Sequence, residues 1–154
     1  MRERLAHLQA GVAMARAHPW LGVGAGNFSA RYREFTPVWR FRIPRGGHAH
    51  NAYVHAAAQT GLVGLATYLG FVAMVGLGLV GALRRVGPSA VRPVVVGAIG
   101  VCLAIAAHNT VDYMHVLGLN LQVAVVLALA MNARPGASEE GTVAHAKPRV
   151  LGTW

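Results

Sequence analysis

Between Gly46 and Leu83 the chain has no Asp, Glu, Lys or Arg. Only 12% of its 154 residues are charged, about half the usual share for a soluble domain. With 55% hydrophobic residues, this excludes an ordinary soluble composition and puts the chain in the membrane class. Acids are scarce: 5 Asp and Glu stand against 14 Lys and Arg. Lysine is nearly missing, since 13 of those 14 basic residues are Arg. There is one cysteine, Cys102, so no intrachain disulfide can form and the redox compartment cannot be read. No secretory signal is visible ahead of the first helix.

What is present is apolar and helical. Leu62 to Leu83 is a 22-residue apolar run closed by Arg84 and Arg85, long enough to span a bilayer. Two more runs, 93–111 and about 114–131, predict a second and third span. The last contains Asn120 and Gln122 and needs polar company. Glycines at 61, 64, 70, 76, 78, 81, 97 and 100 are expected to let the spans pack closely. Leu5, Leu8, Val12 and Ala15 recur at helical spacing, so 2–17 reads as an amphipathic helix ended by His18-Pro19. The tail 133–154 has a disordered composition.

The basic excess suits anionic lipid or a pyrophosphate-bearing substrate, because the Arg fork pairs two oxygens at once. A base composition favouring Arg codons explains the Arg-to-Lys ratio equally well. A nucleic-acid partner fits poorly with such apolar runs. Arg31, Arg33, Arg40, Arg42 and Arg45 are interleaved with Tyr32, Phe35, Trp39 and Phe41, a pattern suited to anions and sugar faces. Positive-inside counting sets six basic residues on one side of three spans against eight on the other, and gives no orientation. It becomes consistent if the first 50 residues are an outside loop whose arginines serve binding. No apolar run precedes that loop, which predicts that the chain is the C-terminal part of a longer membrane protein.

Three histidines crowd the stretch GHAHNAYVHAAAQTGLVGL (47–65): His48, His50 and His55. They lack a partner Cys or nearby acid, so no metal site is expected. Asn51, His55 and Gln59 would form one polar stripe if 50–60 is helical. His108, Asp112 and His115 fall at i, i+4 and i+7, so one helical face could hold them. LGVGAGNF (21–28) reads as a tight turn. It lacks the strand before it and the acid after it that a nucleotide loop needs.

The arrangement HN-x9-GxxG (His50-Asn51 to Gly61 and Gly64), preceded by HPWLGVGAGNF and by Arg4-x3-Leu8, resembles the C-terminal portion of the O-antigen ligase and polymerase superfamily. One position departs from that pattern: Leu65 follows the GxxG, where the family's ligases often carry Ser or Thr. The resemblance implies an all-α integral membrane protein, part of a larger C-type glycosyltransferase-like helical fold. An extracytoplasmic helical loop (1–60) would be followed by three transmembrane helices (within 61–132) and a cytoplasmic tail, in the bacterial inner membrane. The implied reaction moves a glycan from undecaprenyl pyrophosphate to a hydroxyl on a glycan, lipid or protein, without cofactor or metal. It sets His50 and Arg4 at catalytic motif positions.

The chemistry of the side chains suits that reaction. Histidine can take the acceptor proton near neutral pH, and arginine can steady a departing pyrophosphate. Asn51, His55, Arg16 and Arg45 are candidate substrate-binding residues. Polymerisation, or a non-catalytic or truncated protein binding an anionic glycan, are the alternatives.

Overall fold

A computed structural model describes residues 2–36, 47–114 and 117–134. Five helices and no strands occur among them: α1 (Arg2–Ala17), α2 (Phe28–Phe35), α3 (Ala52–Val86), α4 (Arg92–His108) and α5 (Leu117–Asn132). The expected helix over 2–17 is α1. Its buried face is Ala6, His7, Ala10 and Met14 rather than the expected Leu5 stripe, and Leu5 is 54% exposed. The reason is closeness. A Cβ at Gly11 would lie 3.0 Å from Val54 Cγ1 and 3.1 Å from Ala49 Cβ, so α1 meets α3 through its small residues.

The end of the glycine loop and the start of the polar stretch after it form a helix, α2, beyond the elements expected from sequence. Phe28 and Tyr32, one turn apart in α2, are buried with Ala10, Met14, Ala49 and Ala58. This is the first of two apolar clusters. The second joins the far end of α3 to α4 and α5 through Leu79, Ala82, Val86, Val95, Ala98 and Ala130. Helix α3 runs through both.

Helix α3 is broken at Gly61, whose φ of 65° and ψ of −164° are not helical. An unbroken helix would bond Leu62 N to Ala58 O and Val63 N to Gln59 O. Here the glycine loop takes all four groups. Val23 N–H donates to Ala58 O and Gly24 N–H to Gln59 O, both at 2.9 Å. On the other side, Leu62 N–H donates to Pro19 O (2.7 Å) and Val63 N–H to Trp20 O (3.3 Å). The turn expected over 21–28 is therefore a plug for a helix break. A Cβ on Gly61 would lie 2.2 Å from the Trp20 carbonyl, and one on Gly22 2.3 Å from the Gln59 backbone.

The apolar run expected at 62–83 begins just past this break and extends to Val86. α3 is the one helix among the described residues long and apolar enough to cross a membrane. α4 and α5 are apolar but shorter. The second run ends at His108, not at 111, because residues 109–113 turn. Thr110 N–H bonds Ala107 O, and Val111 and Asp112 N–H both bond His108 O. The third run corresponds to α5. Most of the helix glycines carry no close packing: a Cβ at Gly70, Gly76, Gly81, Gly97 or Gly100 meets nothing within 4 Å. Residues 135–154, most of the expected tail, lie outside the described residues.

Gly61→Ala and Gly22→Ala are each expected to destabilise the full chain by about 2 kcal/mol or more, from the left-handed φ and the backbone clash together. Gly70→Ala is expected to change stability by roughly +1 kcal/mol or less, as mid-helix Gly→Ala does. Thermal unfolding in detergent compares them, and equal losses at all three sites would contradict the plug.

Candidate functional site

Asn51 starts α3. Its Oδ1 accepts the Val54 N–H at 2.9 Å, a side-chain N-cap. Its Nδ2 donates to Thr110 O at 2.8 Å, and Ala52 N–H donates to Asn109 O at 2.8 Å. Two bonds thus tie the start of α3 to the turn after α4. Asn109, 1% exposed, completes that turn by accepting Met114 N–H on Oδ1 at 3.3 Å. This is how Asp112, far away in sequence, comes to face residue 50.

His50 precedes the cap with φ of 51°, the single non-glycine residue with positive φ among those described. A left-handed backbone is costly for a residue with a Cβ and marks a position held by its surroundings. Its Nδ1 lies 3.0 Å from Asp112 Oδ1, and Arg4 Nη2 lies 3.0 Å from Asp112 Oδ2. Asp112 Oδ1 also accepts Tyr113 N–H at 2.8 Å. The Tyr113 amide, then the His50 ring, then the Arg4 charge hold the Asp112 carboxyl below its usual 3.8. An ionised carboxylate only accepts, so His50 Nδ1 is the donor, and in the neutral ring Nε2 carries the lone pair. The Arg4 side chain is 60% exposed, so its remaining donors face solvent.

Further rings surround this triad. His7, on α1 one turn after Arg4, stacks on His50 with centroids 5.5 Å apart and planes 15° apart. His48 meets His50 edge-on at 4.3 Å and stacks on Tyr113 at 5.3 Å. Burial, then the neighbouring His50, pushes both His7 and His48 below the usual 6.5. His48, His50 and Asp112 each offer a ligand atom within 4.8 Å of the others. Arg4 already supplies a cation to that carboxylate.

The other expected residues divide. His55 is 6% exposed, edge-on to Tyr113 at 4.7 Å. It contacts the Gln59 side chain, whose Oε1 accepts Gly26 N–H. The expected polar stripe therefore exists from His55 to Gln59, with Asn51 as its cap. Beside it lies a cavity of about 730 Å³ lined by His55, Gln59, Thr60, Tyr68, Tyr113 and Asn120 among others. Arg16 lines a separate cavity of about 320 Å³ with Val12, Pro19 and Leu62. It is roughly 18 Å along α1 from Arg4 at 1.5 Å per residue. Arg31 pairs with Glu34 at 2.9 Å, both exposed, a pair of small energetic weight. Arg40, Arg42 and Arg45 lie outside the described residues, as does His115. The helical face expected for His108 and Asp112 does not form, because Asp112 sits in the turn.

One participant, His7, is missed by sequence reasoning, and Asp112 is expected from sequence on a helical face with His108 and His115 rather than beside His50. His7 gave no signal beyond its place three residues after Arg4. Asp112 gave a stronger one than its spacing: it is the only carboxylate between Glu34 and Glu139.

Acidification is expected to loosen the site in two steps. His7 and His48 resist protonation when folded, so stability falls as pH drops below about 6.5. The Asp112 contribution is present above the unfolded carboxyl value of 3.8 and is lost as pH falls through its lower folded value. Asp112→Asn should remove the second step and spare the first in a pH series of thermal unfolding. An unchanged second step would contradict the assignment to Asp112.

Residues 1–69 match the family model described as O-antigen ligase, out of 154 in the chain. The matched segment contains Arg4, the glycine loop and the whole of HN-x9-GxxG. Asp112 lies beyond it. No curated protein matches the chain.

Proposed function

We propose, from the match of residues 1–69 to the O-antigen ligase family model, that the chain takes part in transfer of a glycan from undecaprenyl pyrophosphate to a hydroxyl acceptor. That family acts on lipid-linked glycans in a bilayer setting, and its function is of the O-antigen ligase or polymerase type. The observation that carries the residue roles is the Arg4–Asp112–His50 arrangement, with both contacts to the carboxylate at 3.0 Å.

His50 acts as the general base. Its Nε2 takes the acceptor hydroxyl proton while Nδ1–H stays on Asp112, which steadies the imidazolium that forms. The acceptor oxygen then bonds the anomeric carbon as the bond from that carbon to the pyrophosphate oxygen breaks. Arg4, held by one arm to Asp112, presents its exposed donors to the departing pyrophosphate. Asp112 aligns base and clamp. Asn51 fixes the chain direction at His50 through its cap, and His55 with Gln59 forms the wall of the adjoining cavity. Arg16 and Arg45 are proposed to meet parts of the substrate away from the reacting bond.

In this reading α3, α4 and α5 cross the inner membrane and residues 1–60 lie outside it, with the tail after 132 in the cytoplasm. The apolar faces of Phe71, Met74, Leu77, Leu103 and Leu129, each more than 60% exposed, support contact with lipid or with further helices. Leu65 after the GxxG keeps polymerisation as a second reading, in which the acceptor is another lipid-linked glycan.

His50→Ala is expected to lower donor consumption by about 10²-fold or more, the weight of a general base. Arg4→Lys, which keeps charge but loses the fork, should retain part of the rate that Arg4→Ala loses. Turnover of lipid-linked donor in membranes containing the full chain is the readout. Near-normal turnover by His50→Ala would overturn the proposal, and an acceptor series distinguishes ligation from polymerisation.

A further inference from the structure

His7 is an expensive residue where it stands. It is 1% exposed, and neither ring nitrogen has a hydrogen-bond partner among the described residues. A buried imidazole left unpaired is destabilising, and such groups call for an explanation. The second local cost, the left-handed backbone of His50, lies directly against it. Both fall where α1 meets the loop before α3, and both converge on one ring.

We propose that His7 is a positioning residue for His50: its ring, stacked on the His50 imidazole, holds that imidazole with Nδ1 on Asp112 and leaves Nε2 for the acceptor hydroxyl. The inference rests on the general-base reading of His50. Its geometry is independent of it. The His50 ring is bounded on its face by His7 at 5.5 Å, across its edge by His48 at 4.3 Å, and at Nδ1 by Asp112. Tyr32 closes the far side of His7, edge-on at 4.8 Å. With φ already unusual at His50, its backbone alone does not choose the ring orientation, and the stack supplies what the backbone lacks. Helix α1 thereby delivers two residues from one face, Arg4 to the carboxylate and His7 to the ring.

His7 must stay uncharged for this role, since a charged ring would oppose the imidazolium that His50 becomes. The groups facing it are Glu3 on α1, Tyr32 on α2, and His48 and His50 before α3. Burial and His50 disfavour its protonation, opposed by Glu3. As pH falls, His7 takes a proton with no acceptor at hand, and the stack separates.

The test compares His7→Phe, His7→Leu and His50→Ala in the full chain, by kcat, donor KM and the acid limb of the pH–rate profile. His7→Phe keeps a ring and drops the orphaned nitrogens. It is expected to hold kcat within about threefold, with the Tm at or above that of the unsubstituted chain and an acid limb one proton less steep. His7→Leu fills the volume without a ring face. It is expected to lose about tenfold or more in kcat through misorientation, with donor KM and Tm little changed. Full kcat in His7→Leu, or equal losses in both His7 variants, would overturn the inference while leaving His50 as base. Turnover retained in His50→Ala would instead overturn the reading on which it rests.

Discussion

Everything near the site depends on the break in α3 at Gly61. An apolar helix cannot leave backbone groups unpaired in an apolar setting, because each unsatisfied group there costs several kcal/mol. The break takes the Ala58 and Gln59 carbonyls and the Leu62 and Val63 amides out of helical pairing, and the loop from Pro19 to Gly24 satisfies these four. That single exchange joins the end of α1 to the middle of α3. It also explains why the glycines sit where they do. Gly22 and Gly61 are the places where the two backbones pass too closely for any side chain.

The spacing in HN-x9-GxxG follows from the same constraint. Asn51 caps the first segment of α3, the nine residues 52–60 are its helical turns, and Gly61 is its end. The motif thus measures the distance and rotation between a cap and a plug. The plug fixes α1, which presents Arg4 and His7. The cap fixes His50 and, through Asn51 Nδ2 to Thr110 O, the turn that carries Asp112. Three separate pieces of chain meet at one carboxylate because both ends of a short helix are pinned.

The fold class was largely legible in the sequence, since apolar runs and helical spacing are local signals. α1 was delimited to the residue, and the 62–83 run marked the apolar part of the long helix α3 just past its break. What the sequence hid was tertiary. The face that α1 buries is chosen by how closely Ala6, Ala10 and Gly11 let it approach Val54, which periodicity of large residues does not reveal. The shortened α4 depends on the turn that Asn109 and His108 build. At the site, sequence set His50 and Arg4 at motif positions, while the residue that contacts both, Asp112, was only one of several candidates. Asp112 joins them through contacts spanning 62 and 108 positions of chain. His7 was invisible because a lone histidine on a helix carries no pattern.

The cap-to-break spacing is most directly tested by inserting one alanine between Ala56 and Ala57 of the full chain. The insertion turns His50 by about 100° and shifts it by about 1.5 Å relative to the plug, out of register with Arg4 and Asp112. Donor turnover should be lost although the protein still inserts in the membrane, while the same insertion between Gly87 and Pro88, in the turn before α4, should leave most turnover intact. Full turnover with the Ala56–Ala57 insertion would contradict the account.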